Sequence, residues 1–322
     1  MKIDYFLVGL VLAVIVGVLL PTVGADHGLL RLDLVAKYGI CAVFFLYGLS
    51  LAPQKMMHGL RNFRLHLLVQ LLTFAVFPAI VLAAQYVTKG YLPEPLAIGL
   101  FYVAALPSTV SSSVAMVSLA RGNVPGAIFN ATVSSLIGVV VTPAWMAWYM
   151  QGAGQSVPFL PTLGKVALLV VLPIIAGQVA RIWLSGWAQR NGYWTKHVDR
   201  AIILAIVLNS ISDATVRGVW KDYEPTLLIE TALASIALFA VIYAIALGLA
   251  RLTRMNREDE IALAFCGSKK SLAFGVPLAP VIFGNMPEIG LIILPIILFH
   301  FFQLIIVSAL AGVYARRTPS HA

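Results

Sequence analysis

ALPSTVSSSVAMVSLARGN (Ala105–Asn123) and AFCGSKKSLAFGVPLAPVIFGN (Ala264–Asn285) share one pattern: a polar interruption of small residues, then an apolar run that ends in Gly-Asn. Pro107 lacks an N–H and disfavours helix at Leu106. Ser108, Thr109, Ser111, Ser112 and Ser113 offer backbone groups hydrogen bonds outside the helical ladder. In the second stretch Gly267, Ser268 and Gly275 loosen the helix, and Lys269 and Lys270 stand side by side between Ser268 and Ser271. Both stretches therefore read as broken helices.

Their surroundings are too apolar for a soluble domain. Of 322 residues, 60% are hydrophobic and 11% charged, whereas a soluble globular domain carries about 25% charged residues. A helix needs about 20 apolar residues to cross a hydrocarbon core ~30 Å thick. Ten stretches approach or exceed that length: residues 4–22, 34–52, 64–87, 95–120, 124–150, 160–185, 197–216, 226–250, 258–284 and 288–314. The expectation is an all-α integral membrane protein with ten transmembrane helices, of which spans 4 and 9 are the broken ones.

The net charge is +9, but the basic residues are scattered between spans rather than gathered into a patch for nucleic acid; the expected surroundings are a lipid bilayer. With a cytoplasmic N-terminus, Arg31, Lys37, Lys89, Arg217 and Lys221 fall outside and Lys165, Lys269 and Lys270 within spans, leaving fourteen of the 22 Lys and Arg inside. The positive-inside rule then places both termini in the cytoplasm and favours an even number of spans. VGA (Val23–Ala25) resembles a signal-peptide cleavage site. Cleavage would leave nine spans and upset the charge asymmetry, so an uncleaved first helix is expected. Cys41 and Cys266 both lie in apolar spans, which argues against a disulfide framework, a metal-ligand motif and a bound cofactor.

QGAGQSVP (Gln151–Pro158) is the midpoint of the chain and separates five spans (1–152) from five (158–317). Because five is odd, a duplicated unit would lie upside down relative to its partner, as in inverted-repeat transporters. Ser112 and Lys269 hold corresponding places in the two halves. Irregular backbone at membrane depth survives only where protein or a watery cavity satisfies it. Two such breaks point to a binding site near the midplane.

A lysine at mid-membrane costs roughly 2.5–3.5 kcal/mol on insertion scales. Arg257, Glu258 and Asp259 mark the cytoplasmic start of span 9, about ten residues or ~15 Å of helix earlier, which puts the lysines near half depth. Their candidate partners are Asp213, in a polar stretch with Asn209, Ser210 and Ser212, the hydroxyls and carbonyls of the span 4 break, or an anionic substrate. Gln70, Thr73, Asn130, Gln178, His300 and Gln303 also bring polar groups into spans, where an interhelical hydrogen bond is the ordinary reading and ligand contact the alternative. For His300 the ordinary reading is packing, and a proton relay is the alternative. The Ser–Lys neighbours do not make a hydrolase, since adjacent residues point to different sides of a helix and no second acid–base group is placed to assist. No acidic ring or carbonyl-rich filter motif suggests a channel.

With SLARGNV (Ser118–Val124), GSKKS (Gly267–Ser271), LYGLSLAP (Leu46–Pro53), VLPIIAGQVAR (Val171–Arg181) and HFFQL (His300–Leu304), the chain resembles the bile acid:sodium symporter superfamily over essentially its whole length. FCGSKKSLAFGVPLA (Phe265–Ala279) is most similar to a bacterial branch related to the seventh vertebrate member. The resemblance implies a bacterial inner-membrane transporter of a small organic anion with two inverted five-helix repeats. Spans 1, 2, 6 and 7 would form a panel, and spans 3–5 and 8–10 a core in which helices 4 and 9 cross. Substrate would bind beside the crossing, with access alternating as the core moves. Where sodium-coupled relatives hold a glutamate and a glutamine on span 9, this chain aligns Phe265 and Lys269; the span 5 hydroxyl positions fall at Ala127 and Ala131, beside Asn130, Thr132 and Ser134, and Thr73 takes the place of a span 3 glutamine.

A hard cation requires oxygen ligands, and an ammonium repels it. The leading expectation is a secondary transporter in which Lys269 or Lys270 replaces the sodium ion, either bonding carbonyls and Ser111–Ser113 or meeting the substrate's negative group. Proton coupling follows if a buried lysine can release its proton. The expected substrate- or ion-binding set is Gln70, Thr73, Thr109, Ser111, Ser112, Ser113, Asn130, Asp213, Ser268, Lys269, Lys270, Ser271, His300 and Gln303. Two alternatives remain open: a Na⁺ symporter with its ion displaced toward Ser112, Ser113, Asn130 and Thr132, and a non-transporting membrane regulator on the same fold.

Overall fold

A computed structural model of the chain describes residues 5–50, 62–88, 91–152, 159–224, 226–284 and 286–317. Lys2, Lys55, Arg61, Lys89 and most of the midpoint loop lie outside them. The described chain is helical throughout, with no strand. It begins with α1 (Tyr5–Leu19), a short α2 (Pro21–Gly24) and α3 (Leu32–Ser50). Next, α4 (Phe63–Leu71) passes through a π turn at Leu72–Val76 into α5 (Phe77–Thr88). Span 4 is two helices, α6 (Glu94–Ala105) and α7 (Ser111–Leu119), followed by α8 (Val124–Gly152). A second π turn (Ala167–Val171) joins α9 (Phe159–Val166) to α10 (Leu172–Arg190), and α11 (Gly192–Val216) and α12 (Thr226–Leu252) follow. Span 9 is also divided, into α13 (Arg257–Gly267) and α14 (Leu272–Phe283), and α15 (Ile289–Arg317) ends the chain.

Among the described residues, seven helical stretches are long and apolar enough to cross a membrane: Leu32–Ser50, Phe63–Thr88, Val124–Gly152, Gly164–Arg190, Thr226–Leu252, Arg257–Phe283 and Ile289–Arg316. The other three expected spans differ for physical reasons. α1 has 15 residues, Pro107 divides span 4, and α11 carries Lys196, Asp199 and Arg200 near its start and Asp213 near its end. Large apolar side chains such as Leu12, Val140, Ile175, Ile229 and Leu233 are exposed. On a soluble protein they would make improbable surface patches, and here they form the lipid-facing surface of a multi-pass membrane protein. The lysine-bearing stretch is the exception: 89% of its membrane window is buried within protein, against 22% for Gly164–Arg190.

The chain divides into two compact units: Met1–Leu51, Pro143–Leu227 and Ala273–Leu294 form one, and Ala52–Thr142, Leu228–Leu272 and Pro295–Ala322 the other. In the first, α3 and α10 touch backbone to backbone. A Cβ on Gly48 would come within 2.2 Å of the Ile174 carbonyl oxygen, and one on Gly177 within 2.2 Å of that of Phe45. Small residues permit this approach where lipid gives no hydrophobic drive to associate. Gln178 seals the contact by donating to the Gly48 carbonyl.

In the second unit an aromatic cluster fills the interior. Phe299 lies 6.0 Å from Phe77 and 6.3 Å from Phe239, while Phe265 meets Tyr314 at 5.8 Å. One end of this unit is tied by Asp259, whose carboxylate accepts from the side-chain amides of Asn62 (2.6 Å), Asn123 (2.7 Å) and Asn256 (3.1 Å). Each asparagine also uses its own Oδ1 on a helix start, accepting from the N–H of Leu65, Gly126 and Asp259 respectively. The positive ends of α4, α8 and α13 thus converge on a single carboxylate.

Candidate functional site

The site lies within the second unit, where the breaks of spans 4 and 9 satisfy each other. Leu106 is extended (φ −72°, ψ 154°), as a residue before proline prefers, so α6 ends with carbonyls that have no helical donor. The four carbonyls from Ala104 to Pro107, at the helix end and just beyond it, are all satisfied. The Lys270 ammonium donates to Ala104 O (2.6 Å) and Leu106 O (2.7 Å), the Thr142 hydroxyl to Ala105 O (2.8 Å), and the Ser271 N–H to Pro107 O (2.9 Å). The debt is reciprocal, because Ser108 Oγ donates to Cys266 O at 2.6 Å near the end of α13. Gly138 of α8 makes room for this arrangement, since a Cβ there would come within 2.8 Å of the Pro107 ring.

Lys270 has a third acceptor, Thr73 O, at 2.7 Å. Thr73 lies in the π turn of Leu72–Val76, and its hydroxyl turns back to Val69 O, so its contribution is the carbonyl alone. The ammonium also lies 4.1 Å from the centre of the Phe77 ring, a cation–π distance. Its charge is therefore met by three carbonyl dipoles and a ring face. Gln303 clamps the backbone of the same residue, accepting from Lys270 N and donating to Lys270 O, both at 2.8 Å. The N–H must meet the amide oxygen, which fixes the amide orientation, so Gln303 Nε2 also donates to His300 Nδ1 (2.8 Å). His300 serves here as the acceptor that completes the clamp.

Lys269 is equally buried, at 0% exposure, but differently placed. Its ammonium donates to Ser112 Oγ at 2.8 Å. Ser112 in turn donates to Thr109 Oγ1 (2.9 Å), which bonds Ser113 Oγ (2.7 Å). Neither lysine makes an ion pair with a described carboxylate.

The chain matches the SBF-like CPA transporter family over residues 4–316. It belongs to that family. Its relatives include an uncharacterized protein of Pseudomonas aeruginosa, 38% identical over 98% of this chain and 93% of the relative. The putative symporter YfeH of Escherichia coli is 35% identical over 87% of this chain and 83% of its own. Sodium/bile acid cotransporter 7 of Mus musculus is 30% identical over 95% and 91%. The protein is thus a transporter-family member of the sodium/bile acid symporter type, and not an enzyme.

The structure of this SBF-like chain groups most of the expected site residues and separates a few. Thr73, Thr109, Ser112, Ser113, Lys269, Lys270, Ser271, His300 and Gln303 belong to the two lysine networks. Ser268 turns its hydroxyl back to Ala264 O (2.6 Å), and Ser111 opens α7 with an exposed side chain. Gln70 and Asn130 bond each other at 3.3 Å, an interhelical pair. Thr132 donates to its own helix at Ile128 O, so the oxygens suggested for a displaced ion do not share one network. Asp213 is engaged in the first unit: the cation it meets is Arg217, at 2.8 Å, and not a buried lysine. One helical turn separates these two residues, and the shorter reach wins. Phe265, at the position aligned with a glutamate, sits 6.4 Å from Tyr243 and brings no oxygen.

The sequence offered the carbonyls of the span 4 break as partners for a lysine, but not which of Ala104, Leu106 and Pro107 meets which donor. The π turn at Thr73 arises in an ordinary apolar run and gave no signal. The Asp259 hub left a partial trace, since Asn62, Asn123 and Asn256 each precede a helix in the manner of N-caps.

Proposed function

We propose that the chain is a secondary transporter of a small organic anion, working by alternating access, in which Lys270 stands in for a sodium ion. The observation supporting this is the set of three carbonyl oxygens around its ammonium at 2.6–2.7 Å. Inward-facing carbonyls at the end of a broken helix suit a small cation, and a tethered ammonium supplies one permanently. Lys269, Ser112, Ser113 and Thr109 complete the site, with His300 and Gln303 holding the Lys270 backbone. In this reading the ten spans form two inverted repeats, spans 1, 2, 6 and 7 act as panel, and both termini face the cytoplasm of a bacterial inner membrane. The unit boundaries at Pro143 in α8 and Pro295 in α15 favour duplication, since these prolines divide the fifth span of each half. Proton coupling belongs to the same reading, through a lysine that can change its charge.

A second reading, sodium-coupled symport, is favoured by the names of the cotransporter relatives. Uptake of labelled organic anions, bile acids among them, into liposomes separates the two. The lysine reading expects uptake that ignores a Na⁺ gradient, responds to a pH gradient if a lysine titrates, and disappears in Lys270→Gln. Uptake that follows the Na⁺ gradient and survives that substitution overturns it.

A further inference from the structure

The corner where α10 (Leu172–Arg190) passes through Asn191 into α11 (Gly192–Val216) differs from the rest of both helices. α10 buries Ile174 and Gly177, and α11 buries Ile203, Ile206 and Val207, yet no residue from Arg181 to Arg200 is buried. Three of the chain's six tryptophans, Trp183, Trp187 and Trp194, fall in this stretch beside Tyr193. Trp183 is 74% exposed, Tyr193 67% and Trp194 66%. These rings bracket the expected ends of spans 6 and 7, at residues 185 and 197, where amphipathic aromatics seat at headgroup level. The same stretch carries Arg181, Arg190, Lys196 and Arg200 against one acid, Asp199. Arg181 turns to Leu49 O at 3.4 Å, and Arg200 lies over the Phe6 ring at 5.2 Å. Arg190 and Lys196 are exposed and pair with no described carboxylate. Arg190 bonds Gly186 O through Nε at 3.2 Å, which leaves the terminal nitrogens of its guanidinium for a partner. Trp183, Trp187 and Arg190 follow one another at i, i+4 and i+7 and so share one face of α10.

We propose that this corner binds the headgroup of an anionic phospholipid, with Arg190 and Lys196 on the phosphate and the exposed aromatic rings seated beside it at the acyl boundary. Charge complementarity selects the occupant. A zwitterionic headgroup brings its own ammonium to a stretch of four cations and one acid, whereas an anionic headgroup brings no opposing charge. The fork of Arg190 suits two phosphate oxygens. A second copy of the chain, the competing occupant, would set the same positive corner against itself in a two-fold contact. The site lies in the first unit and uses neither Lys269 nor Lys270, so it stands apart from the transport reading.

The test uses the purified full chain in a neutral detergent at low ionic strength, where surface charge is least screened. Phosphatidylglycerol, and separately phosphatidylcholine with the same acyl chains, is titrated in while melting temperature is followed and bound lipids are counted by native mass spectrometry. Wild type is expected to bind phosphatidylglycerol more tightly than phosphatidylcholine. Arg190→Gln and Lys196→Gln each weaken phosphatidylglycerol binding about fivefold, and together about thirtyfold. Lys221→Gln removes the same charge beyond the opposite end of α11 and leaves the affinity unchanged. All three side chains are exposed, so the variants are expected to fold. Equal affinity for the two lipids, or an unchanged preference in the double variant, overturns the proposal. So does a loss in Lys221→Gln as large as in Arg190→Gln, which would reflect net charge alone. A wild-type dimer by light scattering that Trp183→Ala with Trp187→Ala turns into monomer also overturns it, in favour of the second copy. Because nothing is transported in this assay, its failure is distinct from failure of the transport reading.

Discussion

Lys270 donates to three carbonyls and Lys269 to one hydroxyl, so equal burial conceals unequal structural duty. Replacing Lys270 by Met leaves Thr73, Ala104 and Leu106 with buried acceptors lacking that donor, at about 1–3 kcal/mol for each unsatisfied group. That sum is comparable to the whole stability of a typical domain. Lys270→Met is therefore expected to lose most of its monodisperse protein on size exclusion, whereas Lys269→Met keeps it with a modest fall in melting temperature. Equal losses would contradict the assignment. The sequence flagged both lysines as costly at membrane depth but could not separate them. In an unwound segment a step of one residue turns the side chain to another wall, and the backbone dihedrals that decide this depend on Gln303 and Pro107.

Among the elements, three helix starts share Asp259. A capping asparagine is worth about 0.5–2 kcal/mol on its own, and here three of them are oriented by one carboxylate. Asp259→Ala leaves the amides of Asn62, Asn123 and Asn256 without their common acceptor. A drop in melting temperature greater than that of any single Asn→Ala variant is expected. Exposed Glu258, replaced by Ala, serves as the control and should change little. A variant of Asp259 as stable as that control would show that the helix starts are held by other means. The broken spans were legible because Pro107 and the serine and glycine clusters act locally on the backbone. The convergence at Asp259 was not, because Asn62 and Asp259 are 197 positions apart and only packing brings them together.

For the whole molecule, the charge asymmetry makes a topological prediction. α11 (Gly192–Val216) is flanked by Arg190, expected inside, and Arg217, expected outside. After Cys41 and Cys266 are changed to Ala, a cysteine at position 190 should react with a membrane-impermeant maleimide only from the cytoplasmic face. One at position 217 should react only from the outer face. Reaction of both from one side would mean that α11 does not cross, and would end the ten-span reading. The all-helical, multi-pass class followed from composition alone, since 60% hydrophobic residues in long runs leave no other way to satisfy the backbone in lipid. Sequence by itself also located the two breaks and the lysines within them, because proline, glycine, serine and charge act over a few residues. Tertiary structure alone decided that Lys270 meets the carbonyls, that Lys269 meets a helix start, and that Asp213 turns to Arg217. Those outcomes depend on which backbone oxygens and side chains come within about 3 Å, a distance fixed by packing among segments remote in sequence.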